Sequence, residues 1–320
     1  MAQQSSLIKQ ADDDLLTPRQ AFLTDNGVEV LRFAAKAAAA GVAVALVTLV
    51  DIRGGGARAP GAQMAVREDG LYCGFVSGGC VEAAVAYEAM EVIDTGKDRM
   101  VVYGKGSPWF DIVLPCGGSI TLSIHKLRSA RPLLAVLDAL DRRRSAGLRY
   151  NRSSQTLQCI APATKTGWKE AFFEIAYQPC ARVIVYGRSI EAEVTAGLAR
   201  AAGYEVYASD GTMLQASSPD IDSDTAVILL YHDLNRELPV LQAALAARPF
   251  YIGALGSRRT HRDRMQKLSE LGWSEQDIDR IRAPIGIFPK ARDAHSLALS
   301  VLAEVAATRL NGAGDKEKTN

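Results

Sequence analysis

The sequence has few cysteines, no excess of either charge and no long apolar run. Its 320 residues include five cysteines without a CxxC pair, and 37 Lys and Arg residues against 36 Asp and Glu residues. Balanced charge gives no strong field for nucleic acid or for an anionic membrane surface. The longest apolar run, Val42 to Val50, is less than half of the roughly 20 residues that a membrane helix needs. Nucleic acid and membrane are therefore not expected partners.

The start of the chain also lacks the basic-then-apolar pattern of a secretory signal. Together with dispersed cysteines in odd number, this predicts free thiols and a cytoplasmic location. The length indicates about two domains. We predict a flexible arm at 1–24, an α+β domain at 25–178, a second domain at 179–311 and a tail at 312–320.

Strand-like and helix-like patterns alternate from about residue 179 onwards. Arg182 to Tyr186 predicts a buried strand, Gly187 a turn, and the spacing of Ile190, Val194 and Leu198 a helix. Such alternation is typical of a parallel sheet with right-handed crossovers and helices on both faces. The predicted fold class is α/β, with the N-terminal α+β domain followed by a Rossmann-like, doubly wound parallel-sheet domain.

Two cysteines in the first domain are flanked by glycines. One lies in Ser77-Gly78-Gly79-Cys80-Val81-Glu82, and the other in Pro115-Cys116-Gly117-Gly118. If Gly79 is the N-cap of a helix, Glu82 is its third residue and Cys80 lies in the first turn, where the helix dipole favours a thiolate. The pair indicates soft-ligand or sulfur chemistry, but two tight turns that merely contain cysteines fit these segments equally well. Cys73, Cys159 and Cys180 lie in or beside apolar strands and are expected in the core.

Three polar segments follow strands of the second domain, where ligands of a parallel sheet bind. After the first strand, Ser189 replaces the second glycine of a dinucleotide-binding GxGxxG pattern. His232 follows the third strand, as a ligand contact or as a helix cap. Gly256-Ser257-Arg258-Arg259 follows the fourth strand and opens a helix, which suits an anion site, although a solvated basic helix start is the alternative.

Together these segments resemble the xanthine dehydrogenase accessory proteins of the XdhC/CoxF type, over nearly the whole chain. The motifs that carry the resemblance occur in the family's order: Gly54 to Met64 with Arg58, Ser77 to Glu82, Leu114 to Gly118, Gly187, Tyr231-His232-Asp233, Tyr251 to Arg259, Ala283 to Ile287, and Ala298 to Glu304. The family's Ser and Pro in the first loop are Gly55 and Ala57 here, so that loop departs from the pattern.

The resemblance implies a molybdenum cofactor chaperone and not an enzyme. Such a protein protects the molybdopterin cofactor, supports its sulfuration and inserts it into a molybdenum hydroxylase of the xanthine dehydrogenase or aldehyde oxidase type. The implied partners are the large subunit of that hydroxylase, a cysteine desulfurase and a second copy of the chain in a homodimer. The implied cofactor is molybdopterin, either without a nucleotide or in its dinucleotide form.

The residues expected to bind this cofactor come from both domains, and none is expected to be catalytic. Cys80 and Cys116 are expected to contact molybdenum or its sulfur. The full set is Arg58, Ser77, Gly78, Gly79, Cys80, Glu82, Cys116, Gly117, Gly118, Gly187, His232, Gly256, Ser257, Arg258 and Arg259.

The alternative function is an NAD(P)-dependent oxidoreductase that uses the Rossmann-like domain. His232 with Asp233 could form a catalytic dyad at the ligand crevice. Against this, Ser189 places a side chain where the pyrophosphate of a nicotinamide dinucleotide needs bare backbone. Fold alone does not decide between the two functions.

Overall fold

In a computed structural model of the protein, the described residues are 17–105, 117–163, 165–209, 220–231, 233–288 and 291–315. The contacts within the chain divide it into two compact units, Met1–Gln178 and Pro179–Asn320. Below they are called the N-terminal and the C-terminal unit. Among the described residues, no helix combines the length and the apolar character needed to cross a membrane.

A mixed six-stranded sheet forms the centre of the N-terminal unit. Its strands are β1 (Arg19–Phe22), β2 (Val44–Arg53), β3 (Gln63–Arg67), β4 (Leu71–Gly74), β5 (Arg99–Gly104) and β6 (Ser119–Lys126). Their order is β1-β4-β3-β2-β6-β5, with β1 parallel to β4 and the other pairs antiparallel. The β3–β4 hairpin turns at Gly70, whose φ is +78°, and Asp69 Oδ1 accepts a hydrogen bond from Leu71 N.

Both faces of the six-stranded sheet are covered. One core joins a face of the sheet to α1 (Gly27–Ala39), to α3 (Arg131–Asp141) and to a second, antiparallel sheet. The opposite face packs against α2 (Glu82–Thr95). Because alternate residues of β2 enter the two cores, the strand reads as an unbroken apolar run.

The second sheet of this unit has the order β8-β7-β10-β9. Its strands are β7 (Ala146–Asn151), β8 (Thr156–Ile160), β9 (Gly167–Lys169) and β10 (Phe172–Tyr177). Phe173, Ile175 and Tyr177 alternate along β10 and face the core shared with α1 and α3.

The C-terminal unit is a five-stranded parallel sheet with helices on both faces. Its strands are β11 (Arg182–Tyr186), β12 (Glu205–Ser209), β13 (Thr225–Leu229), β14 (Tyr251–Ala254) and β15 (Ile281–Arg282), in the order β12-β11-β13-β14-β15. Its helices are α4 (Ile190–Ala201), α5 (Leu234–Ala247), α6 (Arg258–Glu270), α7 (Glu275–Ile278) and α8 (Ala294–Asp315). One core contains residues of α5 and α6, and the other contains residues of α4 and α8. The predicted fold class is confirmed.

Several local predictions need correction. The arm predicted at 1–24 contains strand β1, which pairs with β4 and whose Arg19 N donates to Gly70 O at 2.9 Å. The tail predicted from residue 312 continues α8 as far as Asp315. Helix α3 ends at Asp141, and Arg143 adopts φ +55° where the chain turns into β7.

Candidate functional site

The glycine-rich loops of the N-terminal unit meet at one end of the six-stranded sheet. Ser119 pairs with both Arg53 and Gly104, so the loop after β2 and the segment before β6 lie at this end. Gly74 pairs with Met64, which brings the end of β4 there too. Cys116 lies outside the described residues, as does the rest of 106–116.

Two of these loops are in backbone contact at Gly118. A Cβ built on this residue would lie 2.6 Å from Arg53 O and 2.5 Å from Gly55 O, so only glycine fits. Gly117 beside it is exposed and has φ +67°. The loop after β2 also reaches the cysteine segment, since a Cβ on Gly78 would lie 3.6 Å from Ala57 Cβ. Segments far apart in sequence therefore form one surface.

Residues 75–81, below called the Cys80 loop, are held by the carboxylate of Glu82. This side chain is 2% exposed. Its Oε1 accepts hydrogen bonds from Val76 N at 3.1 Å and Ser77 N at 2.7 Å, and its Oε2 accepts from Val81 N at 3.2 Å. Ser77 Oγ donates to the same carboxylate, 2.8 Å from Oε2. Glu82 thus fixes the loop from beneath.

The helix does not begin where the sequence predicted. Gly79 was expected as the N-cap, but α2 starts at Glu82, with Val81 in the N-cap position and no side-chain cap. The backbone donors before the helix are bound by Glu82, so the chain forms an irregular turn there. Gly79 has φ +102°, which favours glycine, and the space beside it is open. Cys80 therefore lies in the loop and not in the first helical turn.

The thiol of Cys80 is exposed, and its Sγ lies 3.4 Å from Ser77 Oγ. The single hydroxyl proton of Ser77 is donated to Glu82, so Ser77 Oγ faces the thiol, and also Gly79 N at 3.3 Å, as an acceptor. The nearby Cys73 is buried, and burial raises the pKa of its thiol to about 12. The two neighbouring cysteines therefore differ, and Cys80 is the one placed for chemistry.

Two other cysteines were predicted wrongly. Cys159 and Cys180 were expected in the core, but both are exposed. Cys159 lies on β8, which is an edge strand of the four-stranded sheet. Cys180 precedes β11, and its Sγ lies 3.4 Å from Gly203 O. Neither has a glycine-rich turn around it.

Arg58 is held by partners within its own unit. Its Nη1 donates to Asp25 Oδ2 at 2.8 Å, and its guanidinium lies 5.7 Å from the ring centre of Phe75, at the start of the Cys80 loop. The hydrogen bond from Arg58 holds the pKa of the Asp25 carboxyl below its usual value. The arginine therefore links the loop after β2 to the Cys80 loop.

In the C-terminal unit, the strand order reverses between β11 and β13, which is the position of the ligand crevice in such sheets. Gly187 follows β11, and a Cβ there would lie 3.0 Å from Leu230 O. Ser189 occupies the N-cap position of α4 without capping it, and its Oγ is buried with no partner among the described residues. His232 lies outside the described residues.

Residues 255–259, below called the Ser257 turn, follow β14. Ser257 caps α6, its Oγ accepting a hydrogen bond from Thr260 N at 3.2 Å, and a Cβ on Gly256 would contact Thr260. Arg258 and Arg259 are exposed, and neither side chain has a hydrogen bond or ion pair within the described part of the chain. Their backbone N–H groups begin the helix, where no intrahelical acceptor exists.

A buried arginine supports this turn, which the sequence analysis missed. Arg264 Nη2 donates to Leu255 O at 2.9 Å and to Glu237 Oε2 at 2.8 Å, and its Nε donates to the same carboxylate oxygen at 3.0 Å. Both side chains are almost fully buried. Arg264 recurs at helical spacing with Leu268 on the buried face of α6, and a charge in such a stripe is the signal that could have revealed it.

Two motifs behind the resemblance dock against each other. Glu304 Oε2 accepts hydrogen bonds from Gly286 N and Tyr251 Oη, each at 2.7 Å. Ser300 Oγ accepts from Phe288 N at 2.7 Å, and a Cβ on Gly286 would lie 2.5 Å from that oxygen. These contacts join α8 to the segment after β15.

Comparison with known proteins identifies the family. Residues 37–104 match the model of the XdhC and CoxI family, and residues 183–305 match that of the XdhC Rossmann domain. The chain is 62% identical over 300 residues to the molybdenum cofactor insertion chaperone PaoD of Escherichia coli, covering 94% of each protein. It is 27% identical over 280 residues to the uncharacterised E. coli protein YqeB, covering 84% of this chain and 44% of YqeB.

A solved structure shows the same fold. The crystal structure of a Bacillus halodurans protein described as a xanthine dehydrogenase superposes with a TM-score of 0.68 at 20% identity, covering 89% of this chain and 96% of that one. The fold likeness agrees with the two family matches and with the close relative. The chain is a member of the XdhC and CoxI family.

Proposed function

We propose that the protein is a chaperone that binds the molybdenum cofactor and inserts it into a molybdoenzyme. The observation that carries this proposal is the 62% identity to a molybdenum cofactor insertion chaperone across 94% of both chains. Insertion requires a site that holds the cofactor and then releases it to another protein. The cofactor is therefore cargo, and no catalytic residue is needed.

The Cys80 loop suits the molybdenum end of this cargo. It offers an exposed soft thiol on a backbone that Glu82 holds in place, beside the open space at Gly79. Among the described residues, no three His, Cys, Asp or Glu side chains come together as metal ligands. A metal that arrives already chelated by its pterin fits such a site better than a free ion, because a single added sulfur contact is enough.

The remaining N-terminal residues of the proposed site have supporting roles. Gly118 keeps the neighbouring loop close, Gly117 is exposed beside it, and Arg58 ties the loop after β2 to Phe75. Glu82 acts through the loop, because its carboxylate is occupied by backbone donors. Cys116 is proposed as the second sulfur contact.

The Ser257 turn suits an anionic part of the cofactor. Two unpaired guanidinium groups, the free N–H groups of a helix start and the Ser257 hydroxyl are suitable donors for phosphate. Gly187, which follows β11, and His232, which follows β13 in the sequence, are proposed to line the same crevice. The phosphate belongs to either molybdopterin or its dinucleotide form.

Protection of the cofactor, support of its sulfuration and delivery to a xanthine dehydrogenase or aldehyde oxidase-type hydroxylase belong to the same proposal. The partners are the hydroxylase large subunit, a cysteine desulfurase and a second copy of the chain. An exposed thiol in a fixed loop supports a role beside sulfur transfer. No observation favours an NAD(P)-dependent oxidoreductase, and the close relative is a chaperone.

The proposal is tested by loading and transfer. The full chain is purified from cells that make molybdopterin, its bound pterin is oxidised to a fluorescent product, and the loaded protein is mixed with a cofactor-free molybdenum hydroxylase. We expect fluorescent pterin from the purified protein, hydroxylase activity after mixing, and no NAD(P)H oxidation by the protein alone. Release of a nicotinamide dinucleotide in place of a pterin would contradict the proposal.

A further inference from the structure

A second polar cleft lies at the amino-terminal edge of the parallel sheet, at the other end of the strands from Gly187 and the Ser257 turn. It encloses about 130 Å³ between the start of β14, the start of β15 and α8. Phe250 and Tyr251 form its aromatic wall, and Arg280 and Arg282 line it. We call it the Arg280 cleft. Nothing in the proposed chaperone function uses it.

Arg280 is oriented but lacks a counter-ion. Its Nη1 donates to Leu245 O at 3.3 Å and its Nη2 to Pro249 O at 3.0 Å. These bonds fix the half-buried guanidinium against the end of α5, and no carboxylate lies within ion-pair distance of it among the described residues. Burial, and then the positive charge of Arg248, lower the pKa of Arg280. The negative charge of Asp277 acts in the opposite direction, but Asp277 forms no ion pair with Arg280.

Arg282 adds a second charge to the cleft. Both arginines line it, whereas Ile281 between them is buried in the core. Arg282 is exposed and makes no hydrogen bond or ion pair with any described residue. The two arginines thus present an uncompensated pair to the cleft.

The neighbouring acidic groups are already bound. Asp277 pairs with Arg248 at 3.4 Å and accepts a hydrogen bond from Ser274 Oγ at 2.7 Å. Glu304 accepts the hydroxyl of Tyr251 and a backbone N–H. Because these carboxylates have other partners, neither forms an ion pair with Arg280 or Arg282.

The size of the cleft limits the anion. Its volume is about 130 Å³. Sites that enclose drug-sized molecules measure roughly 300–1,000 Å³. The cleft therefore has room for one oxyanion group, and any larger part of a ligand would lie in solvent. A tetrahedral group can direct oxygens at both guanidinium groups. The two oxygens of a carboxylate instead match the paired N–H groups of one guanidinium group.

We propose that the Arg280 cleft is a binding site for a single phosphate group, either free phosphate or the phosphoryl end of a small molecule whose remainder lies in solvent. Arg280 provides the fixed, half-buried charge. Arg282 provides the exposed charge that closes over the ligand. This site is separate from the Ser257 turn and independent of the chaperone proposal.

The test follows arginine modification residue by residue. The full chain is treated with phenylglyoxal at constant ionic strength, with increasing inorganic phosphate, and each arginine is quantified by peptide mass spectrometry. We expect phosphate to protect Arg282 in a saturable way, while Arg152, which is exposed and lies in the N-terminal unit, is modified at an unchanged rate. Equal rates at Arg282 with and without phosphate would overturn the proposal.

Two variants and one competing anion complete the design. Arg280→Gln should raise the phosphate concentration needed to protect Arg282 by about tenfold. This factor corresponds to the loss of one charge-assisted hydrogen bond. Arg258→Ala with Arg259→Ala should leave that protection unchanged, which separates this site from the Ser257 turn. Acetate should protect Arg282 less than phosphate at equal concentration. Protection lost in the double variant, or equal protection by acetate, would count against a phosphate site here.

Discussion

The Cys80 loop and the Ser257 turn are both short connections from a strand to a helix, but they present different chemistry. In the Cys80 loop, the carboxylate of Glu82 accepts hydrogen bonds from the backbone N–H groups of Val76, Ser77 and Val81. These donors before the helix are therefore not available to a ligand. In the Ser257 turn, a hydroxyl caps one donor, and Arg258 and Arg259 keep their charges free. The first loop is therefore left with a thiol for a ligand, and the second with positive charge.

The largest expected effect concerns the support beneath the Ser257 turn. Glu237→Ala leaves the guanidinium of Arg264 buried without its carboxylate, which should cost about 3–5 kcal/mol of stability. Urea unfolding of the full chain, followed at more than one probe because the two units can unfold separately, measures this loss. Glu270→Ala, an exposed change on α6, is the matched control and should change little. Equal stability of the two variants would show that the pair does not support the turn.

A smaller loss is expected in the Cys80 loop. Glu82→Ala removes the acceptor of several buried backbone donors and should cost about 2–3 kcal/mol, because hydrogen bonds to charged groups are strong and the donors stay unpaired. Glu91→Ala in the same helix removes an exposed ion pair with Arg99 and should cost less than about 1 kcal/mol. If both variants unfold at the same urea concentration, Glu82 does not hold the loop.

The charge of the Ser257 turn should appear in binding. Arg258→Ala with Arg259→Ala should weaken the affinity for phosphate-bearing cofactor more than about tenfold, since each charge-assisted hydrogen bond contributes roughly 1.5–3 kcal/mol. Titration calorimetry with the isolated cofactor measures this change. Arg262→Ala, an exposed arginine beyond the first turn of the same helix, should bind as the unchanged protein does. An equal loss of affinity in Arg262→Ala would show that the effect comes from net charge and not from a site at the Ser257 turn.

The smallest effect is a pH dependence within the N-terminal unit. Burial alone would raise the pKa of Asp98, but hydrogen bonds from His125, Tyr150 and Lys126 N hold it below its ordinary value of 3.8. A lowered pKa in the folded state stabilises the fold above that ordinary value, and this contribution is lost as the pH falls below it. Between about pH 5 and pH 3, the free energy of unfolding should therefore fall more steeply with decreasing pH in the unchanged protein than in Asp98→Asn. Equal slopes would contradict this assignment.

Periodicity and turn residues predicted much of the fold. Strand β11 has the bounds expected from its apolar run, and the alternation after residue 179 predicted the parallel sheet. Strands β9 and β15, of three and two residues, were missed because such short pairings leave no periodic signal. Helix α5 begins at Leu234, where Asp233 Oδ1 accepts a hydrogen bond from Asn235 N, and it contains Pro239, a residue that spacing alone would place at a helix end.

The candidate site could be predicted only in part. Glycines beside Cys80 and Ser257 indicated turning backbone, and the structure has turns there. The helix start was misplaced because a burial-dependent contact, the return of Glu82 to the loop, cannot be read from spacing. Cys159 was assigned to the core because its neighbours are apolar, but its strand lies at a sheet edge. Which face of a strand is covered depends on its tertiary partners.

Retention of cofactor by single cysteine variants tests the central claim, that the fixed thiol of the Cys80 loop holds the cargo. Cys80→Ser and Cys159→Ser are purified from cells that make molybdopterin, and the fluorescent pterin released per mole of folded protein is compared. Both cysteines are exposed and both lie in the N-terminal unit, so the comparison isolates the loop. We predict that Cys80→Ser loses the pterin while Cys159→Ser keeps it. Equal retention by the two variants would contradict the account.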